Sequence, residues 1–191
     1  MFQDIDENRA QGSVEMKIFG FSLFVCFLLI GCTTPIDSTQ TVIPEPVGED
    51  MLSFPEFDFV DENNTTHNSS MYAGMPFVAY FSASWCTHCK PTLEALDDTV
   101  PVGHLLVFNK ESREEYSNMT EWKESMESEL NRTLNHPFMH APDFASSLNV
   151  QSIPSMFFVN ADGEITHHQE GLKNQSIIET YWNPLVSNSE E

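Results

Sequence analysis

Apolar and polar positions fall into blocks along this chain. The first fifteen residues are polar, an apolar run follows from Ile18 to Ile30, and residues 33 to about 50 are polar again. From Phe54 to Asp61 apolar and polar positions alternate around Phe57 and Phe59, the period of a short strand, and residues 62–70 read as a polar loop. Phe77 to Phe81 is continuously apolar and rich in aromatic and β-branched side chains, as a central strand buried on both faces requires. Leu93, Ala95 and Leu96 lie in a segment of good helix formers, and His104–Phe108 reads as a second buried strand. Asn118 and Glu121 have capping-box spacing, and Met119, Trp122, Met126, Leu130 and Leu134 recur every three or four residues, which predicts one face of a helix. Asp143–Leu148 reads as a shorter helix and Met156–Val159 as a strand. Asn160-Ala161-Asp162-Gly163 is a hairpin turn leading into a return strand over Glu164–Gln169. Ile177, Ile178, Tyr181, Trp182 and Leu185 close the chain as an amphipathic helix. The predicted order is β-β-α-β-α-α-β-β-α, an α/β domain.

Composition changes this picture mainly at the N-terminus. The chain has 191 residues, room for one domain plus extras, and a net charge of −21 from 29 acidic against 8 basic residues. Such a surface repels phosphate, so nucleic-acid binding is excluded. The thirteen apolar residues from Ile18 are too few to span a bilayer comfortably but suit a signal-peptide core, with translation starting at Met16. Leu29-Ile30-Gly31-Cys32 resembles a bacterial lipobox, which implies lipidation of Cys32; an uncleaved signal anchor or a plain secretory signal are the alternatives. Residues 1–31 are therefore expected as a signal region, 32–50 as a Pro/Thr/Ser-rich tether and 51–188 as the folded domain. The compartment expected is extracytoplasmic, with the protein held at the membrane as a lipoprotein. Cys26 leaves with the apolar run, so Cys86 and Cys89 remain as the one pair in a compartment that favours disulfides.

Those two cysteines follow the core strand at CxxC spacing, at its junction with a helix. Unpaired N–H groups and the positive end of a helix dipole favour a thiolate there, and thiolates attack disulfides. Half of a zinc site is the alternative; it needs two further ligands, and there is no second CxxC. Phe81-x-Ala83-x-Trp85-Cys86-x-x-Cys89-Lys90 resembles the active-site signature of the thioredoxin superfamily, and His88 before the second cysteine is similar to protein disulfide isomerase. The polar turn and Ala73-Gly74-Met75-Pro76 ahead of the core strand are similar to the membrane-tethered TlpA-like branch.

The resemblance implies a thioredoxin fold with an N-terminal strand extension and a helical insertion. It implies a thiol-disulfide oxidoreductase whose redox-active disulfide is Cys86–Cys89, with Cys86 as exposed nucleophile and Cys89 resolving. His88 would stabilise the thiolate and Trp85 would shape the docking surface. Ile153 and a cis Pro154 would pair with the substrate backbone, and Gly171 matches the loop glycine near the active site. Tyr80 stands where such proteins usually carry a buried acid, with Glu111 and Glu114 as substitutes to consider. Partners implied are protein thiols or disulfides and a membrane electron donor or acceptor; no cofactor is expected, and the chain would act as a monomer. Two other readings remain open: a copper(I) protein with a further ligand from His136, His140 or Met156, and a glycosylated binding module with a static disulfide. Asn63, Asn64, Asn68, Asn118, Asn131 and Asn174 each begin an N-x-Ser/Thr sequon, six where composition alone gives about two.

Overall fold

The structure, a computed structural model, describes residues 52–187. The readings placed on Met16, the apolar run, Cys32 and the tether lie outside the described residues. Contacts divide the chain into residues 1–45 and 46–191, and the described domain falls in the second part.

Strand β3 (Phe77–Ser82) is buried at all six positions, as its unbroken apolar character requires. It lies third in a five-stranded sheet of order β5-β4-β3-β6-β7. Strands β4 (Leu105–Asn109) and β5 (Phe138–His140) run parallel to it on one side; on the other, β6 (Ser155–Val159) runs antiparallel to β3 and β7 (Ile165–Glu170) antiparallel to β6. Strand alternation sorts the side chains onto two faces. Val78 and Tyr80, with Leu105, Val107, Phe138, Met156 and Phe158, pack under helices α1 (Cys89–Thr99), α2 (Met119–Leu130) and α4 (Gln175–Ser187). Phe77, Ala79 and Phe81, with Leu106, Phe108, Met139 and Phe157, face the N-terminal segment and the short helix α3 (Pro142–Ser147). That second face is largely aromatic: rings of Phe54, Phe57, Phe59, Phe81, Phe108, Phe144 and Phe157 meet at centroid distances of 5.1–6.4 Å. Edge-on and tilted pairs of this kind add about 0.5–1.5 kcal/mol each beyond buried area. Among the described residues no helix is long and apolar enough to cross a membrane.

Four local expectations are corrected. The stretch read as a polar loop contains strand β2 (Thr66–Asn68), which pairs antiparallel with β1 (Asp58–Val60) as a separate hairpin. Asp61 makes that turn: its Oδ1 accepts the backbone N–H groups of Asn63 and Thr65 at 2.8 Å, while Asn64 takes φ 62°. The capping box lies one turn earlier than read. It joins Glu115 and Asn118 around a 3-10 turn, with Glu115 N–H donating to Asn118 Oδ1 at 2.8 Å. Helix α2 then stops at Leu130 because Asn131 adopts a left-handed conformation, φ 52° and ψ 43°. Leu134 reaches the core from the following loop, just ahead of β5, a strand of three residues that periodicity could not register.

The stripe of α4 is also narrower than read. Ile178, Trp182 and Leu185 are buried, whereas Ile177 is 40% exposed. Ile178→Ala should therefore cost about 2–5 kcal/mol in urea unfolding, and Ile177→Ala no more than about 0.5 kcal/mol. Equal losses would place the buried face elsewhere.

Candidate active site

Strand β3 ends at Ser82, and the chain turns through Ala83-Ser84-Trp85 to Cys86. Cys86 N–H donates to the Ala83 carbonyl and Cys89 N–H to the Cys86 carbonyl, both at 3.1 Å, and α1 begins at Cys89. The two cysteines are joined by a disulfide, with Cα atoms 5.3 Å apart. His88 sits at the N-cap position in helical conformation and makes no side-chain cap, so the first N–H groups of α1 have no side-chain acceptor from it. Cys86, expected as the exposed thiol, is only 6% exposed, against 2% for Cys89. The order of exposure is as read, but the difference is small. What stands out from the surface is Trp85, 56% exposed, together with exposed Thr87 and His88.

Phe81 pairs with Ser155, so Pro154 lies just past the paired register, at the end of the sheet from which Cys86 emerges. The Ile153–Pro154 bond is cis. Gly171 N–H donates to the Pro154 carbonyl at 2.7 Å with φ 74°, a conformation that only glycine adopts readily. Ile153 packs against the apolar cluster that contains both cysteines.

Tyr80 is fully buried, and its hydroxyl donates to the Cys89 carbonyl at 2.8 Å. Burial pushes its pKa far above the ordinary phenol value, against the smaller opposing effect of Ser82. Tyr80 stays protonated at any working pH and serves as a donor that pins the start of α1 to the central strand. Glu111 is fixed in the opposite sense. Hydrogen bonds from the Arg113 guanidinium (2.8 and 2.7 Å), the Arg113 backbone N–H and the Trp85 indole N–H (2.8 Å) hold its carboxyl down to about 2. It is an anion throughout and carries no proton near neutrality. Glu114 accepts from Ser84 Oγ at 2.7 Å and Asn109 Nδ2 at 2.6 Å, which ties the 109–114 loop to the active-site turn.

The proposed copper ligands do not converge. His136 Nε2 meets Asp97 Oδ1 at 2.9 Å within the protein, and burial lowers its pKa against the pull of that carboxylate. His140 Nε2 lies 3.3 Å from the Glu111 carbonyl, and only Met156 shares the cluster of the cysteines. Among the described residues no group of three or more His, Cys, Asp or Glu could hold a metal. Of the sequon asparagines, Asn68 is half-buried and accepts from Ser70 Oγ at 2.6 Å, while the other five are exposed. The Asn118 and Asn174 side chains accept backbone N–H groups, from Glu115 at 2.8 Å and Ile177 at 3.1 Å.

Sequence reasoning missed the chain Arg113–Glu111–Trp85 and the Ser84–Glu114–Asn109 link. The signal was present in Asn109, whose side chain accepts Glu111 N–H at 2.8 Å in an Asx turn that aims the loop at the cysteines.

The family described as thioredoxin-like domain matches residues 69–183. The chain belongs to that family. Among solved structures it is similar to the pneumococcal exposed lipoprotein thioredoxin of Streptococcus pneumoniae, at 20% identity and TM-score 0.54, over 68% of this chain and 99% of that one. It is similar to a thioredoxin-family thiol:disulfide interchange protein of Chlorobium tepidum, at 16% identity and TM-score 0.57, over 71% and 97%. A secreted disulfide oxidoreductase of Mycobacterium tuberculosis aligns at 19% identity and TM-score 0.54, over 68% and 96%. No curated protein sequence matches. At these identities the likeness concerns the fold, a thioredoxin fold with a mixed sheet between helices.

Tyr80→Phe keeps the ring and deletes one buried donor. It should lower stability by about 1–2 kcal/mol while leaving the thiolate absorbance titration of the reduced cysteines unchanged between pH 4 and 9. A displaced titration midpoint would mean that Tyr80 exchanges protons with the pair.

Proposed function

We propose that this protein is an extracytoplasmic, lipid-anchored thiol-disulfide oxidoreductase acting on protein substrates through Cys86 and Cys89. The observation that carries the reading is the Cys86–Cys89 disulfide at the N-terminus of α1, at the same end of the sheet as the Ile153–Pro154 turn. In the reducing direction the Cys86 thiolate attacks a substrate disulfide, forms a mixed disulfide and expels one substrate thiolate. Cys89 then attacks the Cys86 sulfur, expels the second thiolate and leaves the protein disulfide, so two electrons pass to the substrate. Oxidation runs the same steps backwards. The α1 N-terminus and the neighbouring His88 favour the thiolate at Cys86. With Tyr80 held as a donor and Glu111 as an anion, the departing substrate thiolate is the base that takes the Cys89 proton. Trp85 supplies apolar contact area beside the pair, and Ile153 and Pro154 offer backbone to an extended substrate chain.

A membrane electron donor or acceptor would reset the pair after each turnover. The chain acts as a monomer, tethered by a lipid on Cys32 after removal of residues 1–31, and its exposed sequons are acceptors for glycosylation where the host makes it.

Cys89→Ser should accumulate mixed disulfides with client proteins, and Cys86→Ser few. Both are counted on non-reducing gels after acid quenching. Equal trapping by the two variants would overturn the assignment of Cys86 as nucleophile, and none by either would overturn exchange itself.

Anchoring is tested separately with radiolabelled fatty acid. Wild type should incorporate label and Cys32→Ser none, because the short apolar run cannot hold the chain in a bilayer unaided. Equal labelling of the two would end the lipobox reading.

A further inference from the structure

Lys110 follows β4 and touches both halves of the site. Its backbone N–H donates to the Ser82 carbonyl at 3.0 Å, at the end of β3 from which the chain turns to Cys86. Its half-buried side chain crosses to the segment ahead of Pro154, where the ammonium donates to the carbonyls of Val150 at 2.8 Å and Gln151 at 3.3 Å. That segment has little else to hold it. Helix α3 ends at Ser147, Asn149 takes a left-handed conformation at φ 55°, and the Val150 N–H turns back to the Ala145 carbonyl at 2.9 Å. The chain then runs through exposed Gln151 and Ser152 to Ile153. At the far end the Gly171 N–H holds the Pro154 carbonyl. Between these two holds the Ile153 backbone makes no hydrogen bond within the described residues, so its N–H and carbonyl stay open to an extended chain.

The sheet fixes Ser155 against Phe81, but Ile153 precedes that ladder, and its place relative to Cys86 depends on what holds residues 150–152. We infer that Lys110 is a positioning residue for the substrate-docking turn. By bonding Ser82 through its backbone and Val150 and Gln151 through its ammonium, it sets the distance between the disulfide and the Ile153 backbone. An ammonium suits this task, because it offers three donors and bonds carbonyls more strongly than a neutral group does. No carboxylate competes for it, since Lys110 makes no ion pair within the described residues. The inference rests on the exchange reading above and adds a residue that acts through the docking turn rather than on the cysteines.

The test uses the reduced full-length protein and three mixed disulfides of thionitrobenzoate, whose release is followed by absorbance. One carries an extended peptide with a single cysteine, one the same peptide N-methylated at the two residues flanking that cysteine, and one mercaptoethanol, which has no backbone. In each, the Cys86 thiolate attacks the carried sulfur and expels thionitrobenzoate; Cys89 then frees the carried thiol as the protein disulfide forms. Wild type should react with the peptide about three- to tenfold faster than with its N-methylated form, the worth of one hydrogen bond. Lys110→Met removes the ammonium at similar length and should bring that ratio close to one by slowing the unmethylated peptide alone. Its rate with the mercaptoethanol disulfide and its midpoint in glutathione redox buffers should stay at wild-type values, which neither a general loss of structure nor a direct effect on the Cys86 thiolate would allow. Lys110→Gln, a second neutral variant with a shorter reach, should do the same. A wild-type ratio preserved in both variants would overturn the assignment, and so would a loss of rate shared by the peptide and the mercaptoethanol disulfide. Equal wild-type rates for the two peptides would overturn it as well, whereas no release of thionitrobenzoate from any of the three would count against the exchange reading instead.

Discussion

The hydrogen bond from Tyr80 to the Cys89 carbonyl joins the two parts on which this molecule depends, the buried central strand and the helix that starts at the disulfide. Strand β3 is sealed on both faces and gives the sheet its middle; its C-terminal end is the place where the backbone comes out to the surface. A helix starting there presents unpaired N–H groups at the point where sulfur chemistry needs a favourable field. The hydroxyl fixes the helix start relative to the strand by one short donor–acceptor contact of 2.8 Å. A carboxylic acid at the same position would have exchanged protons. The phenol, buried and held above its ordinary pKa, can only position.

The aromatic face on the other side of β3 explains the N-terminal extension. Phe54, Phe57 and Phe59 cover rings of the sheet that α3 is too short to cover alone. The extension is held at both edges. Ser53 bridges Glu164 next to β7, and Asp61 bridges Met139 of β5. Asp61 is also the polar centre of this clasp. Burial would push its carboxyl up, but the N–H groups of Thr65 and Asn63 and the His67 ring outweigh that and hold it below the ordinary range. Its contribution to stability is therefore present above the usual carboxylate pKa and is lost as the pH falls through the folded-state value.

Periodicity revealed what burial dictates. The two-faced strand β3, strand β4, the β6–β7 hairpin with its Asn160–Gly163 turn and the helical character of α1, α2 and α4 were all legible, because each follows from which side chains must leave water. What was not legible depends on single backbone conformations or on very short pairings. Asn131 in a left-handed conformation ends α2 and sends Leu134 into a loop, although its spacing continues the helical stripe. Strands β2 and β5, three residues each, exist because neighbouring chain is in place to pair with them, and no three-residue pattern encodes that. At the site, the CxxC was readable from residue type and spacing, and the proline from the family resemblance. The Arg113–Glu111–Trp85 chain was not, because it depends on how an Asx turn at Asn109 folds back on the active-site turn.

The loop from Asn109 to Glu114 makes the surroundings of the disulfide unequal. On the Ile153–Pro154 side the cysteines meet a backbone turn followed by Ser155, which a substrate of almost any sequence can approach. On the Ser84 side they meet fixed side chains: an indole latched to Glu111 and a hydroxyl bonded to Glu114. Backbone contact tolerates sequence and side-chain contact discriminates by it, so under the proposed exchange reading the two sides would divide the work of recognition. Glu111 belongs to neither binding role. Held as an anion by Arg113, it fixes the Trp85 indole beside the active-site turn.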